Sequence, residues 1–327
     1  MYGGGYIYDD KQKAAQIADD PEKLAAFQAR IDRGEKIEPQ DWMPTEYRRQ
    51  LIRMIEQHAH SEIIGALPEG TWITRAPNFR RKMALIAKVQ DEIGHGHLLY
   101  CAAETLGKSR EEMMNDLLSG KSKYSNVFNY PAKTWADIAV IGFLIDAAAI
   151  INQLANSKGS YGPYCRALER ICAEEAFHLK QGHDAFVYLA TGTQAQREML
   201  QDAVNRWYKP ILHFFGPPDS ESVHSEQLIR WKVKMASNDD MRNQFLSTYV
   251  PKIREVGIDF PDPNLQKHED GTWTFSDPDW EEFYQTIKGN GPCNKERLAV
   301  RKWAETHGRW VRTAMASANT KHTVPLA

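Results

Sequence analysis

Apolar and small residues recur every three or four positions over most of the chain, and regular alternation is nowhere sustained. The pattern therefore predicts helices and no substantial sheet. Residues 10–33 read as a charged helix rich in Ala, Lys, Asp and Glu, separated from the next segment by Gly34 and Pro39. Four long helical stretches follow. The first begins after Pro44 and Thr45 and runs to about residue 67, with Leu51, Ile55, Ala59, Ile63 and Ala66 as its inner stripe. Pro68 and Gly70 are expected to stop it. The second spans about 77–106 and ends at Gly107; the third starts near Thr134, which can cap it, and runs to about 157; the fourth covers about 163–190 and ends at Gly192. Beyond them, 193–215, 223–235, 241–256, 280–287 and 295–316 read as helices. Gly216-Pro217-Pro218 reads as a turn, and 259–278 as an ordered loop or a short hairpin. The fold class is all-α, and a single domain is expected over 1–327. It divides into a helical extension (1–43), a four-helix core (44–192), a C-terminal helical extension (193–316) and a flexible tail (317–327).

Composition narrows the classes of function. The chain has 327 residues and 42% hydrophobic content, ample for a large buried core. A formal net charge of -2 excludes a global basic field suited to nucleic acid. The four cysteines form no C-x-x-C pair, so reduced thiols in a cytoplasmic protein are expected, with Cys165 and Cys172 as core packing. The start, Met-Tyr-Gly-Gly-Gly, lacks the basic and apolar regions of a signal peptide. The most apolar run, 138–151, is interrupted by Asp146, so no membrane span is expected.

The sharpest chemical signal is E-x-x-H, which occurs as Glu92-Ile-Gly-His95 and as Glu175-Ala-Phe-His178. Residues three apart share a helix face, so one carboxylate and one imidazole can reach the same cation. A single copy is weak; two copies on two long helices point to a two-metal bundle, which needs one more carboxylate from each remaining helix. Glu62 falls on the apolar stripe of the first helix, seven residues after Ile55 and four before Ala66. Asp146 lies within the apolar run of the third, where an unpaired carboxylate would cost several kcal/mol to bury. Glu92 follows Glu62 by 30 residues and Glu175 follows Asp146 by 29, as a duplicated helix pair would have it. Four carboxylates and two imidazoles without thiolate suit iron or manganese better than structural zinc. Asp91 and Glu174 adjoin the motif glutamates off the shared face and are either outer partners or solvated. His58, His60, His97 and His183 are not expected to be ligands. Lys88, one turn before Glu92, either pairs with a site carboxylate or is solvated.

Three stretches, His58-Ala-His-Ser-Glu-Ile-Ile-Gly65, Gln90-Asp-Glu-Ile-Gly-His-Gly-His97 and Cys172-Ala-Glu-Glu-Ala-Phe-His178, together with 128–137 and 289–295, resemble the catalytic alpha subunits of bacterial ring 1,2-phenylacetyl-CoA epoxidases (phenylacetyl-CoA monooxygenases). The resemblance implies a ferritin-like four-helix bundle with additional N- and C-terminal helices, holding two iron ions on Glu62, Glu92, His95, Asp146, Glu175 and His178. It implies that one atom of dioxygen enters the aromatic ring of phenylacetyl-CoA, giving the 1,2-epoxide in phenylacetate degradation, while the other leaves as water. Electrons would come from NADPH through a partner reductase carrying FAD and an iron–sulfur cluster. Small accessory subunits and a non-catalytic ferritin-like subunit would complete the assembly. Many related bundles carry Glu where Asp146 stands, and the shorter arm would make the iron site asymmetric. The resemblance further implies a coenzyme A channel. Arg53 and Gln57, the loop Lys123-Tyr124-Ser125-Asn126, and His213, Ser222, Lys234 and Lys295 are its candidates, since cations suit phosphates and the loop offers donors. Glu69 is either part of the site wall or a plain helix-end residue. The competing reading is a ferritin-like iron-storage protein or a structural subunit without oxygenase activity. Storage predicts a shorter, cage-forming chain, and a structural subunit predicts a degraded ligand set.

Overall fold

The computed structural model describes residues 20–221 and 225–321. Its class is all-α, with a ferritin-like bundle at the centre. The order is α1 (Pro21–Asp32), α2 (Thr45–Gly70), α3 (Phe79–Glu104), α4 (Arg110–Ser119), α5 (Trp135–Val140), α6 (Asp146–Asn156), α7 (Gly162–Ala190), α8 (Gln194–Phe214), α9 (Ser225–Arg230), α10 (Asn238–Glu255), α11 (Trp280–Gln285) and α12 (Asn294–Lys321). A π turn, Ile141–Ile145, joins α5 to α6, so the two run as one bundle helix. The four bundle members are α2, α3, α5–α6 and α7: α2 packs on α3, α5–α6 on α7, and α3 on α7 joins the pairs. Among the described residues the sheet content is a two-residue antiparallel hairpin, Gln266–Lys267 with Trp273–Thr274. It realises the hairpin alternative for 259–278.

The caps show why the helices start where they do. Asn78 accepts from the Arg81 N–H at the head of α3, and Thr134 forms a reciprocal pair with Asp137 at the head of α5. Ser109 and Glu112 form the same box on α4, a helix that the apolar pattern does not announce. Pro68 does not stop α2. It forfeits one donor close to the helix end, and the Thr71 N–H still reaches the Leu67 carbonyl, so the helix closes after Gly70 and carries Glu69 within it. The segment 223–235 is helical only over Ser225–Arg230 in its described part, and the chain turns at Lys232, whose φ is +50°. At the other end, α12 continues past 316 to Lys321, and residues 10–19 of the first expected helix lie outside the described residues.

Two close approaches set the bundle's middle. A Cβ on Gly182 of α7 would lie 1.9 Å from the Gly142 backbone in the π turn, so only glycine lets these elements meet. A Cβ on Gly65 of α2 would meet the Phe128 ring at 2.7 Å. That glycine lets Phe128 lean over the helix. Trp135–Asn156 is long and apolar enough to cross a bilayer, but most of it is buried in the bundle, and Asp146 sits within it.

Candidate metal centre

Glu62 comes from α2, Glu92 and His95 from α3, Asp146 from the head of α6, and Glu175 and His178 from α7; all six are buried. Two ligand-type groups result. Oxygen and nitrogen atoms of Glu62, Glu92, His95 and Glu175 lie within 4.8 Å of one another, as do those of Asp146, Glu175 and His178. Each histidine turns Nδ1 inward. His178 Nδ1 is 3.4 Å from Glu92 Oε1 and 3.1 Å from Glu175 Oε2. His95 Nδ1 is 3.8 Å from Glu92 Oε2 and 3.6 Å from Glu175 Oε1. Glu92 and Glu175 thus each offer one oxygen to each histidine, a bridging disposition. Glu62 and Asp146 serve one side each.

The outer nitrogens explain the orientation. His95 Nε2 is 2.9 Å from Glu174, and His178 Nε2 is 3.2 Å from Asp91. The acid preceding each motif glutamate therefore pairs with the histidine of the other motif. Sequence reasoning leaves these acids undecided; the doubled pattern acid-Glu-x-x-His is the available signal. A carboxylate on the outer nitrogen fixes the ring and raises its basicity. Glu174→Gln and Asp91→Asn are each expected to lower ferrous affinity about 10–100-fold, measured by iron titration. Unchanged affinity in both would sink the outer-partner assignment.

His58, not expected to be a ligand, orients one. Its Nε2 lies 2.8 Å from Glu62 Oε1, and its Nδ1 shares a hydrogen bond with the Tyr164 hydroxyl at 2.9 Å. Burial holds it neutral, well below the usual histidine range. The i,i+4 spacing of His58 and Glu62 is visible in the sequence; the contribution of Tyr164, more than a hundred residues later, is not. Lys88 is buried, with its ammonium 2.6 Å from Asp146, 2.9 Å from Glu69 and 3.7 Å from Glu92. The Glu69 contact is an ion pair without hydrogen-bond alignment.

The charges decide what the cluster can hold. Burial, then the neighbouring Glu92, pushes the Glu62 carboxyl well above its usual range. Burial works against ionisation of Glu92 too, but His178, His95 and Lys88 outweigh it and hold that carboxyl well below. Burial likewise opposes a charge on His178, yet Glu175 and Glu92 raise it to about 11. If Glu62, Glu69, Glu92, Asp146 and Glu175 were all ionised against one ammonium, four negative charges would remain, which two divalent cations would neutralise. The donors are hard oxygens and imidazole nitrogens, and His95 Nδ1 is buried without a hydrogen-bond partner. The residues fit a pair of iron ions.

A cavity opens onto the cluster. Glu62, Glu69, Glu92, Asp146 and Glu175 face it, Phe128, Ile145, Ala149 and Phe214 form apolar walls, and Gln57, Ser125 and Asn152 supply polar groups. Of the residues expected in a thioester channel, Gln57 and Ser125 are on this lining. Ser61 Oγ accepts from the Ser125 N–H, holding the loop over α2. Asn126 is buried beside it, Lys123 is half-buried and donates to the Gly120 carbonyl, and Tyr124 hydrogen-bonds Asn129 and Asn294. Arg53 and Lys295 are exposed and do not line the cavity. Neither do His213 and Lys234. His213 is buried 2.6 Å from the Pro278 carbonyl and against Trp280 and Phe283, and burial lowers it to about 4. Lys234 is buried and donates to Asn238 at 2.7 Å. Ser222 lies outside the described residues.

A family model described as "Phenylacetic acid catabolic protein" matches residues 18–310. Over 298 residues the chain is 52% identical to an Escherichia coli (strain K12) protein named as the A component of 1,2-phenylacetyl-CoA epoxidase, and the match covers 90% of this chain and 96% of that one.

Proposed function

The chain belongs to the phenylacetic acid catabolic protein family, and from that premise we propose that it is the oxygenating subunit of a phenylacetyl-CoA 1,2-epoxidase, working in the cytoplasm in phenylacetate degradation. The carrying observation is the pair of inward Nδ1 atoms, each faced by one oxygen of Glu92 and one of Glu175, at the end of an apolar-walled cavity. Two iron ions would be held by Glu62, Glu92, His95, Asp146, Glu175 and His178. When bound, that pair supplies the dioxygen chemistry that side chains alone lack.

The protein's own residues do the rest. Phe128, Ile145, Ala149 and Phe214 offer the ring an apolar surface beside the carboxylates, and removing that surface from water favours the ring over a polar competitor. Gln57, Ser125 and Asn152 lie where donors and acceptors can hold the polar arm of the thioester. Lys88 keeps a protonated amine against Asp146, Glu69 and Glu92; burial works against that charge and the three carboxylates outweigh it. It is the one ammonium among the described residues of the centre that can share a proton with an oxygen atom leaving as water. Glu69, its ion-pair partner, faces the cavity. Arg53, Lys123 and Lys295, at or near the surface, suit the phosphates of coenzyme A.

The sequence carries no dinucleotide fingerprint, so electrons from NADPH come through a separate reductase with FAD and an iron–sulfur cluster. Small accessory subunits and a non-catalytic ferritin-like subunit complete the assembly. In the test, the chain is co-expressed with these companions, loaded with ferrous iron, and given phenylacetyl-CoA, reductase, NADPH and isotope-labelled dioxygen. Mass spectrometry is expected to find one labelled oxygen atom in the thioester. Two irons bound per chain with no label gained would retain the centre and reject this substrate.

A further inference from the structure

A second cleft reaches residues of the centre, with Glu69 on its lining as well as on that of the substrate cavity. It lies between α3, α5 and α7 and opens to solvent. Its inner end is formed by buried His178, Lys88 and Glu69. Leu85, Ile138 and Ala185 give it an apolar lining, beside the Gly142–Gly182 contact. At the rim, Arg81 of α3 donates to the Gln181 carbonyl of α7 at 3.3 Å. That bond pins two bundle helices, so the width of the mouth is set by helix packing, not by a loop.

We propose that this cleft is the entry route and holding site for dioxygen, separate from the cavity that takes the thioester; the inference rests on the oxygenase reading above. Three observations carry it. Glu69 lines both spaces, and its ion pair with Lys88 stands between them. His178 lines the cleft and not the substrate cavity, so the cleft touches one side of the centre that a bound thioester does not cover. The aliphatic part of the lining, Leu85, Ile138 and Ala185, favours a small apolar solute over water, because water finds no hydrogen-bond partners on those side chains. A thioester filling the substrate cavity lies against Glu62, Asp146 and Glu175. A gas that must react with substrate already seated needs a path that stays open, and the cleft supplies it.

The first test is xenon pressure on crystals of the assembled, ferrous-loaded protein with phenylacetyl-CoA bound. Xenon density is expected in the cleft against Leu85, Ile138 and Ala185. Ala84 lies half-buried on the same cleft, so Ala84→Phe adds bulk there without touching the centre. That variant is expected to lose the xenon density and to raise the KM for dioxygen about tenfold with the KM for the thioester unchanged. Ala84→Ser should match the wild type in both. Iron bound with no xenon in the wild-type cleft overturns the route alone, as does an unchanged KM for dioxygen in a variant whose xenon density is gone. No iron bound overturns the oxygenase reading, and with it the assignment of the gas.

Discussion

Glu92→Ala is expected to lose both irons and, with them, all measurable oxygenation, while the helical content stays at the wild-type level. The asymmetry of the ligand set makes this position more sensitive than its neighbours. Glu62 and Asp146 each serve one side of the centre, whereas Glu92 turns Oε1 to His178 and Oε2 to His95. On the proposed reading, removing it would take a donor from both metal positions at once. Loss of an outer partner costs about 10–100-fold in metal affinity, and loss of a shared direct donor should exceed the upper end of that range. The metal-free protein changes far less, because two effects oppose. The variant forfeits the attraction of His178, His95 and Lys88 for the Glu92 carboxylate, and it relieves the repulsion that raises Glu62. The wild-type contribution has a definite sign. The Glu92 carboxyl is held below its ordinary 4.5, so its stabilisation is present above that value and is lost as pH falls through the folded one. Ferrous titration with metal analysis, beside circular dichroism, separates the outcomes. Two irons retained per chain would sink the bridging role.

The site's ligand-type residues are legible because helical geometry converts sequence spacing into position. Three residues apart on α3 and α7, and on the apolar stripes of α2 and α6, carboxylates and imidazoles have one direction available, inward. Their partners are legible only in part. Asp91 and Glu174 are adjacent in sequence to the motifs, but their cross-pairing requires knowing that α3 lies against α7. The spacing of Lys88 leaves two options, and the burial of Asp146 and Glu69 beside it selects the ion pair. Residues expected in the coenzyme A channel fare unevenly, because charge and residue type do not disclose burial. His213 and Lys234 look like surface cations in the sequence and are enclosed by α11 and by Asn238. Pro68 misleads in the other direction: a proline in the last turn of a helix removes too little to end it. The π turn at Ile141–Ile145 has no signature in the apolar run. It adds a residue to one turn, and each residue rotates the helix face by about 100°, so it sets which way Asp146 points relative to α5.

Asp137, nine residues before Asp146, should carry the largest stability effect outside the centre. It is fully buried at the third position of α5. One oxygen accepts from the Lys133 N–H, the Thr134 N–H and the Thr134 hydroxyl, at 2.8, 2.6 and 2.9 Å. The other accepts from Trp207 Nε1 at 2.7 Å, and both are held by Arg206 of α8. Asp137→Ala removes the Asp137 half of the capping box with Thr134 and leaves the buried Trp207 N–H without an acceptor. Arg206 is about a quarter exposed and keeps Asp202, so its loss is small after solvent screening. The cap and the orphaned donor together come to about 3 kcal/mol, read as a shift of the denaturation midpoint at unchanged slope. Asp137→Asn, which keeps an acceptor for Trp207 but not the charge, should recover part of it. Burial opposes ionisation of this carboxyl, yet Arg206, the Thr134 N–H and Trp207 hold it below its ordinary 3.8. Its charge therefore stabilises the fold above that value, and the stabilisation disappears as pH falls through the folded value. The gap between wild type and Asp137→Asn must then narrow in acid. An alanine variant within about 0.5 kcal/mol of wild type, the range of an ordinary surface change, would mean that α5 is held by its apolar face alone. The π turn and Asp146 would then owe their position to the glycine contact with α7.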